Sequence, residues 1–230
     1  MINAIKIFAG PTLFGTGLLD QNAPGVEWLP PVRRGDVEQL LTNKTPVGSM
    51  AIVDGTFHSY PSVSHHELRH AIEAGWTIYG LSSMGAIRAC EMAHLGMRPW
   101  GQVAQRYLDD ADFNDDEVTL VHGVEAPYVP LSEPLIHMRE FLHSLKTRGL
   151  VSEAQEAEVL KQLQPRWYAE RTIPELRRAL EKTLTTLPTE VLVDLKNFTP
   201  YRVKQRDLQD FVRERPWAAV DNAPQVSRPR

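Results

Sequence analysis

Cysteine is almost missing from this sequence. Cys90 stands alone among 230 residues, so neither an intramolecular disulfide framework nor a thiolate cluster for zinc is available. That fits a reducing, cytoplasmic setting. Long apolar runs are missing too: no window approaches the ~18 consecutive apolar residues of a membrane helix. The opening MINAIKIFAGPTLFG has one lysine and an apolar stretch too short for a secretory core, so export by that route is not expected. There is no excess of positive charge either. Lys and Arg number 25 against 29 Asp and Glu, for a net charge of -4, and no basic cluster is flanked by aromatics, which argues against a nucleic-acid partner. Repeats and low-complexity segments are absent. The chain has the composition and length of one sizeable core with an appendage.

The pattern changes near Pro130. Before it, β-rich runs alternate with helical ones. AIKIFAG (4–10), GVEWL (25–29), SMAIVDGTF (49–57), WTIYGL (76–81) and EVTLVHG (117–123) read as strands, and residues 35–41, 64–74 and 85–95 as helices. Ser64 followed by Glu67 forms a capping-box signature. After Pro130, segments 134–148, 152–163, 173–183 and 200–215 have helical periodicity and no strand run survives. The expected architecture is an α/β N-terminal region, with a mostly parallel sheet flanked by helices, followed by an α-helical C-terminal region. The expected divisions are a core at 1–130, a helical extension at 131–215 and a flexible tail at 216–230.

The stretch YGLSSMGAIRACEMA carries the most chemistry. Ser83 falls on the turn between a strand ending at Leu81 and a helix starting near Gly85, where backbone N–H groups near Met84 and Gly85 would face the same point as its hydroxyl. Gly85 matches the last glycine of the G-x-S-x-G elbow, while Leu81 replaces the first. A plain helix N-cap at Ser82 or Ser83 fits the same spacing. A serine nucleophile needs a base, and His65, His66 and His70 lie on the preceding helix, with His66 and His70 on one face. Those histidines also fit an ordinary surface helix. A metal reading with Glu67 lacks a third ligand at a recognisable spacing, so no metal and no cofactor are expected. Gly10-Pro11-Thr12 and Asp54-Gly55 end two strands, and strand carboxyl ends are where open α/β sheets bind ligands, so both are expected to line one cleft. Arg33 and Arg34 are candidate anion or partner contacts. The acidic run from Asp109 to Glu117 reads as a solvated turn.

In order and spacing, GPTL, LPPVRRGDV, IVDGTF, PSVSHHELRHAIEAGWTIYGLSSMGAIRACEMAHLGM and DDEVTLVHG resemble the TfuA family over roughly residues 5–140. The resemblance implies work beside a YcaO-type ATP-dependent enzyme that replaces a peptide amide oxygen by sulfur. It also implies hydrolysis of the C-terminal thiocarboxylate of a ThiS-like sulfur carrier and a better hold on the peptide substrate. The family's serine–lysine pair carries its serine over to Ser83. Where the family pattern has His-Lys-Glu, this chain has His65-His66-Glu67, so His66 stands in the lysine's place. The expected site therefore pairs Ser83 with His66 as base. Thr12, Met84 and Gly85 would serve the oxyanion, and Gly10, Asp54, Gly55 and His65 would serve the substrate. Two other functions remain open: a non-catalytic protein that holds YcaO, peptide and carrier together, and a small-molecule serine esterase. His122 and His137 follow Ser83, without the Asp-then-His order of the latter.

Overall fold

The computed structural model describes residues 4–21, 23–56 and 60–221. Four strands, β1 (Ile5–Phe8), β2 (Val26–Leu29), β3 (Ser49–Ile52) and β4 (Thr77–Gly80), and the two-residue β5 (Arg98–Pro99) form one parallel sheet in the order β2-β1-β3-β4-β5. Parallel pairing requires a crossover after each strand. Helices α1 (Asp36–Thr42), α2 (His65–Glu73) and α3 (Met84–Met92) supply three of these. The Ser64–Glu67 capping box is formed and sets the start of α2.

Alternation along the strands sorts the core into two faces. Phe8, Met50, Ile52 and Ile78 point toward α1, α2 and α3, joining Val37, Leu68, Ala71 and Ala89. Ile5, Ile7, Ala51 and Tyr79 point the other way. That second face is covered from the far end of the chain, by Leu208 and Phe211 of α9 (Val203–Glu214) and Trp217 of α10 (Pro216–Asp221). Between sheet and α9 the chain forms α4 (Gly101–Asp109), α5 (Leu135–Thr147), α6 (Glu153–Leu163), α7 (Ile173–Thr183) and α8 (Thr189–Lys196). Helices α5 to α8 bury a core of their own around Phe141, Leu163, Leu180 and Val191. The chain thus leaves the sheet, builds a helical cluster and returns at α9.

Three local expectations differ from the structure. EVTLVHG is not a strand: a 3-10 turn at Asp115–Glu117 leads into an irregular segment. Its polar groups are met elsewhere. Val121 N–H donates to Ser132 Oγ, and Leu131 N–H donates to the Val121 carbonyl. Strand β3 ends at Ile52 rather than running to Phe57, which lies outside the described residues. Finally, residues 216–221, read as the start of a loose tail, are helical, with Trp217 1% exposed against Phe211. The lone tryptophan supplies enough apolar area to dock one turn and a half without any repeating pattern.

Candidate functional site

The direction of chain travel reverses between β1 and β3, because β1 connects to β2 on one side and β3 to β4 on the other. At such a switch point two neighbouring carboxyl ends diverge and leave a crevice. Here it is a cavity of about 160 Å³, lined by Pro11, Arg33, Asp54, Gly55, Ser83 and the segment 119–122 among others.

Asp54 builds the floor. It is 2% exposed, accepting the Gly10 and Thr12 N–H groups on Oδ2 at 2.8 and 2.9 Å and the Thr12 hydroxyl on Oδ1 at 2.7 Å. Its carbonyl takes the Val32 N–H. One residue therefore ties together the chain after β1, through its carboxylate, and the chain after β2, through its carbonyl, at its own strand end. Thr12 spends both of its donors on this bonding and is not free to serve an oxyanion.

Ser83 sits where β4 turns into α3. The turn is tight: Ser83 N–H donates to the Leu81 carbonyl at 2.7 Å, across Ser82 held at φ 63°. A non-glycine residue at positive φ in a three-residue turn is a strained arrangement. Ser82 is fixed by its hydroxyl, which donates to the Lys204 carbonyl at 2.9 Å. Ser83 is 3% exposed and stands at the N-cap position of α3, but its side chain makes no capping hydrogen bond, and the residue lines the cavity. Gly85 holds α3 close to the sheet. A Cβ there would lie 1.7 Å from the Ile52 carbonyl oxygen, and its N–H is already given to the Val53 carbonyl at 3.2 Å. Of the two amides expected to face an oxyanion, only that of Met84 is uncommitted among the described residues: it makes no backbone bond to them outside the helix and has no acceptor within it.

The histidines divide differently from expectation. His65 and His66 are exposed at the start of α2 and neither lines the cavity. His65 Nε2 meets Glu91 of α3 at 2.8 Å. His66 packs beside His70, one turn on, whose Nδ1 meets Glu38 of α1 at 3.1 Å, so this face looks toward α1 and away from Ser83. Glu67 is consumed by the capping box and the Gly35 N–H. Among the described residues no cluster of His, Cys, Asp and Glu has the makings of a metal site. The histidine that shares the cavity with Ser83 is His122. Its Nδ1 lies 2.7 Å from the Gly123 carbonyl, which can only accept, so in the neutral imidazole Nδ1 carries the proton and Nε2 the lone pair. Arg33 lines the cavity with its guanidinium 4.1 Å from the Tyr60 ring centre. Arg34 does not; it ties the loop at Pro61 and Ser62.

Behind the cavity wall lies a buried polar relay. Lys204 of α9 is 1% exposed, and its Nζ donates to the Val118 carbonyl at 2.9 Å, pinning the segment that leads to Thr119 and His122. Its backbone N–H donates to His137 Nε2, while His137 Nδ1 meets Glu133 at 2.8 Å. Arg202 closes the group on Glu133. Burial pushes the Lys204 ammonium and the His137 imidazolium below their usual ranges, and the charges of Asp54 and Glu133 oppose the shift at Lys204. Burial also acts to raise the Glu133 carboxyl, but the bonds from His137 and Arg202 outweigh it and hold the group below the carboxylate range. His122 and Lys204 were not singled out from the sequence as site residues. For Lys204 a signal existed, since it falls on the apolar stripe of α9 with Leu208 and Phe211. No local pattern marks His122.

No helix among the described residues is long and apolar enough to cross a membrane. A search among curated proteins finds no match to the chain. The profile of the TfuA-like protein family matches residues 54–172, from the cavity floor at Asp54 through Ser83 and His122 to the start of α7, further toward the C-terminus than the motifs themselves reach. With just over half of its length matched, the chain belongs to the TfuA-like family.

Proposed function

We propose that this protein is an accessory hydrolase of peptide backbone thioamidation. In this reading it cleaves the C-terminal thiocarboxylate of a ThiS-like sulfur carrier at Ser83 and delivers sulfide to a YcaO-type enzyme. Family membership supports the thioamidation setting and the YcaO-type partner. The observation that carries the hydrolase reading is Ser83 itself: a buried serine on a strained turn, without a capping bond, in a cavity that also holds a histidine.

The chemistry balances with this chain's own groups. His122 Nε2 takes the Ser83 proton, and Oγ attacks the thiocarboxylate carbon to give a tetrahedral oxyanion next to the Met84 amide at the positive end of α3. Collapse breaks the carbon–sulfur bond, the proton passes from His122 to sulfur, and hydrosulfide leaves an acyl ester on Ser83. Water, deprotonated by the same nitrogen, hydrolyses the ester to a carboxylate and restores the hydroxyl. His66 has no part in these steps, because its face of α2 is turned toward α1.

A second reading, a non-catalytic protein that brings YcaO, peptide and carrier together, is favoured by one observation: of the three expected oxyanion donors, Thr12 and the Gly85 amide are already committed. Sulfide release from a thiocarboxylated carrier separates the two. Ser83→Ala should fall to background, and His122→Gln should lose about 10²–10⁴-fold. His66→Ala should match wild type. Equal release by wild type and Ser83→Ala would sink the hydrolase reading. Carrier binding without release by wild type would establish the second.

A further inference from the structure

We infer that Lys204 is a positioning residue of the Ser83 cavity: from α9 it holds the two sides of that cavity, the Ser82–Ser83 turn and the segment that carries His122, at a fixed spacing. That this spacing sets a reaction rate rests on the hydrolase reading; that Lys204 sets the spacing does not.

Connectivity is the first argument. The Ser82 hydroxyl, fully buried, donates to the Lys204 backbone carbonyl at 2.9 Å. The Lys204 Nζ donates to the carbonyl of Val118, the residue before the run 119–122 that lines the cavity. One residue thus reaches back 122 positions to the turn and 86 to the wall. Each bond acts where the chain has no ladder to fix it. Ser82 is held at φ 63° between β4 and α3, and residues 118–122 lie outside every helix and strand.

Anchorage is the second. Lys204 is itself fixed from α5: its backbone N–H donates to His137 Nε2 at 3.4 Å, His137 Nδ1 meets Glu133, and Arg202 donates to the same carboxylate. The brace therefore runs from the helical cluster through Lys204 to both sides of the cavity. Cost is the third. Among the described residues the buried ammonium has no ion pair, and its hydrogen-bond partner is a neutral carbonyl. Burying a charge on such terms costs stability, and an uncharged side chain of the same length would avoid that cost. Stability alone does not account for a lysine at this position, whereas a donor that reaches Val118 does.

The test compares wild type with Lys204→Met, which keeps the backbone carbonyl for Ser82 but has no donor for Val118. Hydrogen exchange read by mass spectrometry should rise in peptides covering 118–122 and stay unchanged over 82–92. Sulfide release from a thiocarboxylated carrier should lose about 10²-fold in kcat, the cost of a displacement of about 1 Å, with KM little changed. In His122→Gln the same substitution should cost little further, because Lys204 acts through His122. Unchanged kcat, or an equal loss with and without His122, would overturn the assignment. Ser82→Ala leaves the lysine in place and releases the other side of the cavity. It should raise exchange over 82–92 and lower kcat; no change in either overturns the proposal even where Lys204→Met does not fold. A wild type that releases no sulfide ends the hydrolase reading alone, and exchange then decides. Faster exchange at 118–122 in Lys204→Met keeps Lys204 as the brace, and exchange there equal to wild type removes it.

Discussion

Asp54 offers a test of how the cavity is held together, because its bonds and its charge can be removed separately. Asp54→Ala deletes the acceptor of three buried donors: the amides of Gly10 and Thr12 and the Thr12 hydroxyl. A hydrogen bond to a charged group contributes about 1.5–3 kcal/mol, and stranded buried donors cost on the same scale. The three share one carboxylate and do not add in full, so a loss of about 3–5 kcal/mol is expected. For a chain of this length that lowers Tm by roughly 10 °C. Asp54→Asn behaves otherwise. Both amides bond the same oxygen, Oδ2, so an asparagine carbonyl placed there keeps them, and its NH₂ donates to the Thr12 oxygen at the Oδ1 position. What the asparagine loses is the negative charge facing Lys204. The assay is urea unfolding of the three proteins by circular dichroism. Asn should fall clearly closer to wild type than Ala does. An Ala variant within about 1 kcal/mol of wild type, inside the ordinary range of mild substitutions, would refute the role of Asp54 as the tie. An Asn variant as unstable as Ala would show that charge, not bonding, is what matters there.

Two other outcomes are expected. Trp217→Ala should destabilise by about 3–5 kcal/mol, the range of a large buried aromatic, because Trp217 closes the core over Phe211; denaturant unfolding at the wild-type midpoint would mean that α10 does not dock. Asp207 of α9 accepts the Gln102 and Val103 amides at the start of α4, and burial pushes its carboxyl up to about 6. Unfolded aspartate titrates near ~3.9, so between those values the folded protein binds more protons and its stability falls as pH rises, by roughly 3 kcal/mol in all. The contribution is complete below the unfolded value and gone above about 6. Unfolding free energies of wild type and Asp207→Asn across pH 3.5–7 (roughly the span set by those two values) should differ by this downward slope, and parallel curves would contradict it.

The parts of the site legible in the sequence are those set by near neighbours in the chain. The Ser64–Glu67 box, the turn that presents Ser83 and the strand ends at Gly10 and Asp54 all follow from spacings of a few residues. Segment 117–123 misleads because its alternation suits a strand, yet it crosses the carboxyl ends of the sheet and becomes cavity wall. Alternation records that a segment is half buried, not that a neighbouring strand awaits it.

The sequence by itself determined the fold class, the helical second half and the serine on its turn, because backbone propensity, capping and periodicity act over one or two turns of chain. Tertiary structure alone decided which histidine lines the cavity with that serine. His66 is nearer in sequence but its helix face is committed to α1 through His70 and Glu38, whereas His122 is held in the wall beside Val118, which Lys204 pins from 86 positions away. Which side chains share a cavity depends on how elements pack across the whole chain, and that packing is the sum of many weak contacts that no local pattern encodes.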